Sequence, residues 1–169
     1  MFIALATGEI FIFDLIALAF CPMTVPFEKV WPKAEKREDP ITDIKCHWKK
    51  QHRLLLSFQR QGVAVFSLNK DRTIRQVNIK DDKDNYIKGK VLACEWIGPA
   101  CKEFIVGYEK ATVEIFKAES NDQKPVKVLP FGENNVKEMS LNFFMRPLKG
   151  DYCFLIIKFK KAAEANPLV

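Results

Sequence analysis

The chain has 169 residues, 48% of them hydrophobic and 28% charged, which is apolar material for one sizeable core and is the composition neither of a collagen-like fibre nor of a disordered chain. A net charge of +6, from 27 Lys and Arg against 21 acids, permits weak attraction to acidic partners, yet no run of five or six like charges marks a nucleic-acid arm. Five cysteines (Cys21, Cys46, Cys94, Cys101 and Cys153), odd in number and without CxxC spacing, argue against a disulfide framework or a zinc site and fit a reducing, intracellular location.

Residues 1–27 are strongly apolar, but Glu9 and Asp14 interrupt them, and the uncharged run 15–27 is too short to span a bilayer. No Lys or Arg precedes the run, so the basic n-region that a secretory signal requires is missing. The segment reads as buried strands. Residues 2–6 and 9–15 flank Thr7-Gly8, a turn in which glycine takes positive φ, and predict a hairpin. A third strand is expected around 20–25. Pro22, Pro26 and Pro32 then break the pattern, and the charged stretch 33–39 before Pro40 reads as an exposed loop, with Trp31 plugging an apolar gap.

Four strands follow at 41–48, 53–58, 63–68 and 73–79, with Asn69-Lys70-Asp71-Arg72 as the last turn because Asn and Asp bond their own backbone. Residues 80–85 read as an outside connector. The scheme repeats at 90–97, 103–108, 112–117 and 126–130, with residues 118–125 as an exposed loop. A last unit starts with 139–145 and 152–159, and the tail 162–169 stops before another strand. No amphipathic helical stretch of any length occurs, so the chain reads as nearly all β.

One two-strand phrase is written three times: FIALATGEIFIFDL from Phe2, RLLLSFQRQGVAVFSL from Arg53 and EFIVGYEKATVEIFKA from Glu103. Phe13, Phe66 and Phe116 align, so the unit recurs after 53 and then 50 residues. Such a period predicts stacked units that bury apolar faces against one another, such as propeller blades. The expected division is 1–32, a partial blade and the start of a linker; 33–80 and 81–131, one blade each; and 132–169, a partial blade and tail. The expected fold is all-β, a partial propeller of about three to three and a half four-stranded blades, which makes the chain a fragment of a longer ring. Cys46 and Cys94, each two residues before a tryptophan, read as matching core positions.

Chemistry is harder to find. The only histidines are His47 and His52, and neither starts an HxxxH, HExxH or GxSxG pattern, so His47, beside Trp48 in a predicted strand, reads as packed rather than catalytic. Asp81, Asp82 and Asp84 lack the glycine and closing glutamate of a calcium loop and read as a solvated turn. The seven glycines form no phosphate loop, which argues against an NTPase. No metal, cofactor or catalytic residue is assigned, and no enzymatic activity is expected. The clusters Lys33-Lys36-Arg37, Lys49-Lys50-His52-Arg53 and Lys158-Lys160-Lys161 read as solvated loop edges. The 14 phenylalanines fall mainly at apolar strand positions rather than on a stacking platform, so no nucleic-acid partner is expected.

The order strand, strand, turn, strand, strand resembles the WD-repeat propeller, with Phe13-Asp14 where the Trp-Asp dipeptide would end a strand; the other copies read Phe66-Ser67 and Phe116-Lys117. No Gly-His dipeptide occurs, so a consensus polar network is not carried over. Four phrases in order resemble the lethal giant larvae, tomosyn and yeast Sro family over roughly residues 1–131: ALATGEIFIFDL, a loop with Val30-Trp31-Pro32, DPITDIKCHW and HRLLLSFQRQGVAVFSL. That resemblance implies a cytoplasmic scaffold, peripheral at the plasma membrane, that binds syntaxin-class SNARE proteins and regulates vesicle fusion, exocytosis or cell polarity. Small GTPases and myosin are the further partners it implies. The family's SNARE-like tail and phosphorylated serine loop are absent from these residues.

The alternative is a propeller that contacts phosphoinositide membranes or coat and tether proteins through its basic loops. Phe58-Gln59-Arg60-Gln61-Gly62 is distantly similar to the Phe-Arg-Arg-Gly motif of phosphoinositide-binding propellers, but Arg60 stands alone and reads as a solvated turn residue. The partner surface is not assigned residue by residue. Loops 33–39, 80–88 and 118–124 are the candidates on exposure.

Overall fold

The computed structural model describes the chain except residues 35–37, 48, 51, 81–86, 99, 101, 121, 133–135, 148–150 and 162–169, with backbone alone at 143–147, 151–155, 159 and 161. The expectations for Lys36, Arg37, Trp48, Asp81, Asp82, Asp84, Cys101 and the tail lie outside the described residues. The described chain is all-β, in several antiparallel sheets, with one four-residue helix.

The first sheet holds β1 (Phe2–Ala4), β2 (Ile10–Asp14) and β3 (Ala19–Val25). Gly8, at φ 92, makes the expected turn between β1 and β2. Pro22 lies inside β3, which matches the strand expected around 20–25; β3 is an edge strand, where a residue without an N–H is tolerated. Residues Phe27–Val30 form the short helix α1, which the sequence pattern did not suggest.

The second sheet runs β4 (Ile41–Cys46), β5 (Arg53–Phe58), β6 (Gly62–Ser67) and β7 (Arg72–Asn78) in sequence order. The third runs β8 (Val91–Ile97), β9 (Glu103–Tyr108), β10 (Thr112–Lys117) and β11 (Lys127–Pro130). The hairpin of β12 (Val136–Pro147) and β13 (Asp151–Lys161) follows.

Packing is sheet against sheet. Leu54, Leu56, Phe58, Ala64 and Phe66 cluster with Ile10 and Val25 of the first sheet and with Phe27, Val30 and Trp31. The opposite phase of the same strands, Leu55, Val63 and Val65, clusters with Phe104, Val106 and Phe116 of the third sheet. Both faces of β5 and β6 are therefore covered, and every one of their residues is buried. That explains their continuous apolar runs where a half-solvated strand would alternate. On the far side of the third sheet, Ile105 and Val113 meet Leu141 of β12.

Trp31 fills the gap expected of it, its ring edge-on to Phe58 at 5.8 Å. Four expectations are overturned. The segment 1–27, expected as buried strands, leaves Leu15, Ile16, Leu18, Phe20 and Met23 exposed, because β3 is an edge strand and little of the described chain covers it. Cys94 is buried but Cys46 is exposed; the first sheet offers three strands against the second sheet's four, so the matching positions are covered differently. Asp39, placed in an exposed loop, is fully buried because it caps a turn. Arg53, placed at a solvated loop edge, is buried and ion-paired across sheets.

Candidate interaction surface

The antiparallel order gathers the connectors at two ends. His47, Lys49, Lys50, His52 and residues 68–71 share one end of the second sheet, joined by the Leu68 N–H to the His52 carbonyl; residues 59–61 lie at the other. Buried Asp39 ties that other end together. Its carboxylate accepts from the Arg60 and Gln61 N–H groups at 2.9 and 2.8 Å, and its own N–H donates to the Thr7 carbonyl in the β1–β2 turn. Burial raises the Asp39 carboxyl pKa, against the lowering effect of those N–H groups. Arg60 itself is exposed, held by its backbone, as expected of a turn residue.

The first end is bound by polar staples between the second and third sheets. His47 is fully buried, between β4 and β5. Its Nδ1 accepts from the Lys49 and Lys50 N–H groups at 3.1 and 3.2 Å, which leaves Nε2–H to donate to the Gly98 carbonyl at 3.2 Å. The Trp96 ring stands edge-on at 5.7 Å and its Nε1 donates to the Lys45 carbonyl. Burial lowers the His47 pKa, so the ring is held neutral. Every ring nitrogen is committed to backbone, so His47 fastens one sheet to the next.

Arg75 on β7 does the same work with a charge. Its Nη1 donates to the carbonyls of Lys117 and Ser120 at 2.6 and 3.0 Å, and Nη2 to that of Asp122 at 2.5 Å. The guanidinium lies 5.2 Å from the Phe116 ring centre, a cation–π contact. Arg53 pairs with Glu119 in the same loop, and that pairing lowers the Glu119 pKa. Loop 118–124, a candidate on exposure, is thus pinned from beneath. A cleft of about 280 Å³ runs along the outer edge of β7, between Pro32 and the side chains of Ser120 and Gln123. At the other end, buried Glu114 accepts from Lys88 Nζ at 2.5 and 2.6 Å, beside the Tyr108 hydroxyl.

The sequence reading missed Arg75, Asp39 and Glu114. Arg75 had a signal: Val77 on β7 and Ile79 just beyond it share its phase and are buried, so a charged residue in that register is buried too. Asp39 and Glu114 are fixed by contacts more than twenty residues away, which no local pattern carries.

Among the described residues no group of three or more His, Cys, Asp and Glu is placed to hold a metal ion, and no helix is long and apolar enough to cross a membrane. The sequence matches no protein-family model and no curated protein.

Proposed function

We propose that the chain is a non-enzymatic interaction scaffold, a WD-repeat-like propeller segment of about three to three and a half blades, acting in SNARE-dependent vesicle trafficking through a syntaxin-class partner. The observation that carries this reading is the succession of antiparallel sheets, each buried face to face against the next, with connectors collected at two ends. Stacked units of this kind offer rims and loops as partner surfaces, and their buried polar groups serve the stack. His47 supports the non-enzymatic half: both its ring nitrogens are spent on backbone groups. The vesicle-trafficking half rests on the four ordered phrases that resemble the lethal giant larvae and tomosyn family.

The test is capture of the purified chain on an immobilised syntaxin cytoplasmic segment, with an unrelated coiled-coil protein as control. Saturable retention with a Kd in the micromolar range or tighter supports the reading. Retention equal to the control sinks the SNARE assignment. Turnover of a hydrolase substrate, lost on His47→Ala, would replace the scaffold by an enzyme.

A further inference from the structure

The β2–β3 turn and the β6–β7 turn are two versions of one structure. Each follows an aligned strand, and each places its fourth residue in the left-handed region, Leu18 at φ 50 and Asp71 at φ 46. The second is written Leu68-Asn69-Lys70-Asp71, polar at three positions and suited to that backbone. The first is written Leu15-Ile16-Ala17-Leu18. Its geometry is secured without apolar side chains, because Asp14 Oδ1 accepts from the N–H groups of Ile16 and Ala17 at 2.8 and 3.1 Å. A left-handed leucine is strained, and nothing in the described chain rewards it: Leu15, Ile16 and Leu18 are 62%, 97% and 75% exposed. An apolar tip that neither turn geometry nor packing demands is built for contact outside the described chain.

The charge around it says with what. The β1–β2 turn is tied by Asp39 to the 59–61 end, so the β2–β3 turn lies at the opposite end, with His47, residues 68–71, Gly98, Lys102 and the described residues of the β10–β11 connector. That end exposes Lys70, Arg72, Lys102 and Lys124. Of the acids there, Asp71 is engaged by Lys29 and Glu119 by Arg53, which leaves Asp14 and Asp122 exposed against those four cations. The opposite end sets Arg60, Lys80, Lys90 and Lys110 against Glu9, Glu38 and Glu109, with buried Asp39 beside Lys80, and is closer to balance. One end therefore pairs an apolar point with an excess of positive charge.

We propose that this end docks on anionic lipid bilayers, with Leu15, Ile16 and Leu18 entering the interface and Lys70, Arg72, Lys102 and Lys124 lying over the headgroups. The inference stands apart from the syntaxin reading and uses a different part of the molecule from Arg60, which lies at the far end.

The experiment is co-sedimentation of the full chain with vesicles of phosphatidylcholine alone or with roughly one-third phosphatidylserine. Binding is expected only to the anionic vesicles and is lost as salt shortens the screening length from about 10 Å at 0.1 M to about 3 Å at 1 M. Ile16→Asn with Leu18→Asp rewrites the tip in the chemistry of Asn69 and Asp71, which the same turn already accommodates. That variant is expected to fold and to bind at least about tenfold more weakly. Lys70→Gln with Arg72→Gln is expected to weaken binding roughly twenty-fivefold, at about fivefold per charge. Equal sedimentation with both vesicle types, or undiminished binding by the rewritten tip, overturns the proposal. Ile16→Trp gives an independent reading: its emission is quenched by brominated lipid if the tip is inserted, and absence of quenching on anionic vesicles refutes insertion. Syntaxin capture by the rewritten tip separates the two functions, since it stays intact if only lipid contact is lost.

Discussion

Replacing Arg75 by Met keeps the alkyl stem in its place between the second and third sheets and removes the guanidinium. Three carbonyls, those of Lys117, Ser120 and Asp122, then lose their donor. Hydrogen bonds to a charged group contribute about 1.5–3 kcal/mol each, but they do not add here: burying the guanidinium opposes the gain, and loop carbonyls near solvent recover water. The cation–π contact with Phe116 adds about 1 kcal/mol. A net loss of about 3 kcal/mol is expected. With a urea m-value of about 2 kcal/mol/M, the unfolding midpoint falls by about 1.5 M. Arg75→Lys is expected to recover less than half of that, because one ammonium cannot serve three fixed carbonyls as a planar fork does. Urea titration followed by tryptophan fluorescence reads both variants. If Arg75→Met unfolds within about 0.3 M of the parent, or if Lys substitutes fully, the guanidinium does not hold the sheets together.

Three further outcomes follow from the same contacts. His47 is held neutral by burial, its pKa below the ordinary 6.5, so the unfolded chain takes up the proton first; stability is full above about pH 6.5 and falls as pH drops toward the folded value. His47→Asn, which keeps an acceptor and a donor, should flatten that slope in thermal melts between pH 5 and 7, roughly the range in which an ordinary histidine titrates; an unchanged slope assigns the dependence elsewhere. Asp39→Ala strips the cap from the 59–61 turn and is expected to cost about 2–3 kcal/mol, with Asp39→Asn intermediate, measured by the same urea titration. Gly62→Ala places a Cβ 2.1 Å from the Val77 carbonyl oxygen at φ 128; a loss of at least about 2 kcal/mol or failure to accumulate is expected, and parental stability would show that the strand can shift.

The central strands were legible because their chemistry is local: an unbroken apolar run in β5 and β6, bounded by polar turns, fits little else than strands covered on both faces. Trp31 was legible for a similar reason, since a large ring among prolines has to find cover. Helix α1 was not, because four residues carry no periodicity. Cys46 and Cys94 look alike in sequence and differ in burial because the neighbouring sheets differ in strand number, a property of the partner rather than of the residue. The staples lay between these extremes. Arg75 could be placed inside by its phase, but its acceptors sit more than forty residues ahead, and only the fold joins them. The apolar tip belongs to a segment whose composition predicts burial; its exposure appears once the strands on either side have paired.

The double cover of β5 has a cost in alignment. Where one face meets solvent, sliding a strand by one residue turns its oily side outward and is punished at once. Leu54, Leu55 and Leu56 face oil whichever way they turn, so a slipped β5 would lose almost no burial. The penalty for the wrong alignment must then come from the few atoms that cannot be exchanged: Arg53 would leave Glu119, and the backbone bond from His47 to Arg53 would break. In this stack leucine supplies the adhesion, and the sparse charged and ring-nitrogen contacts select the single arrangement in which it is used.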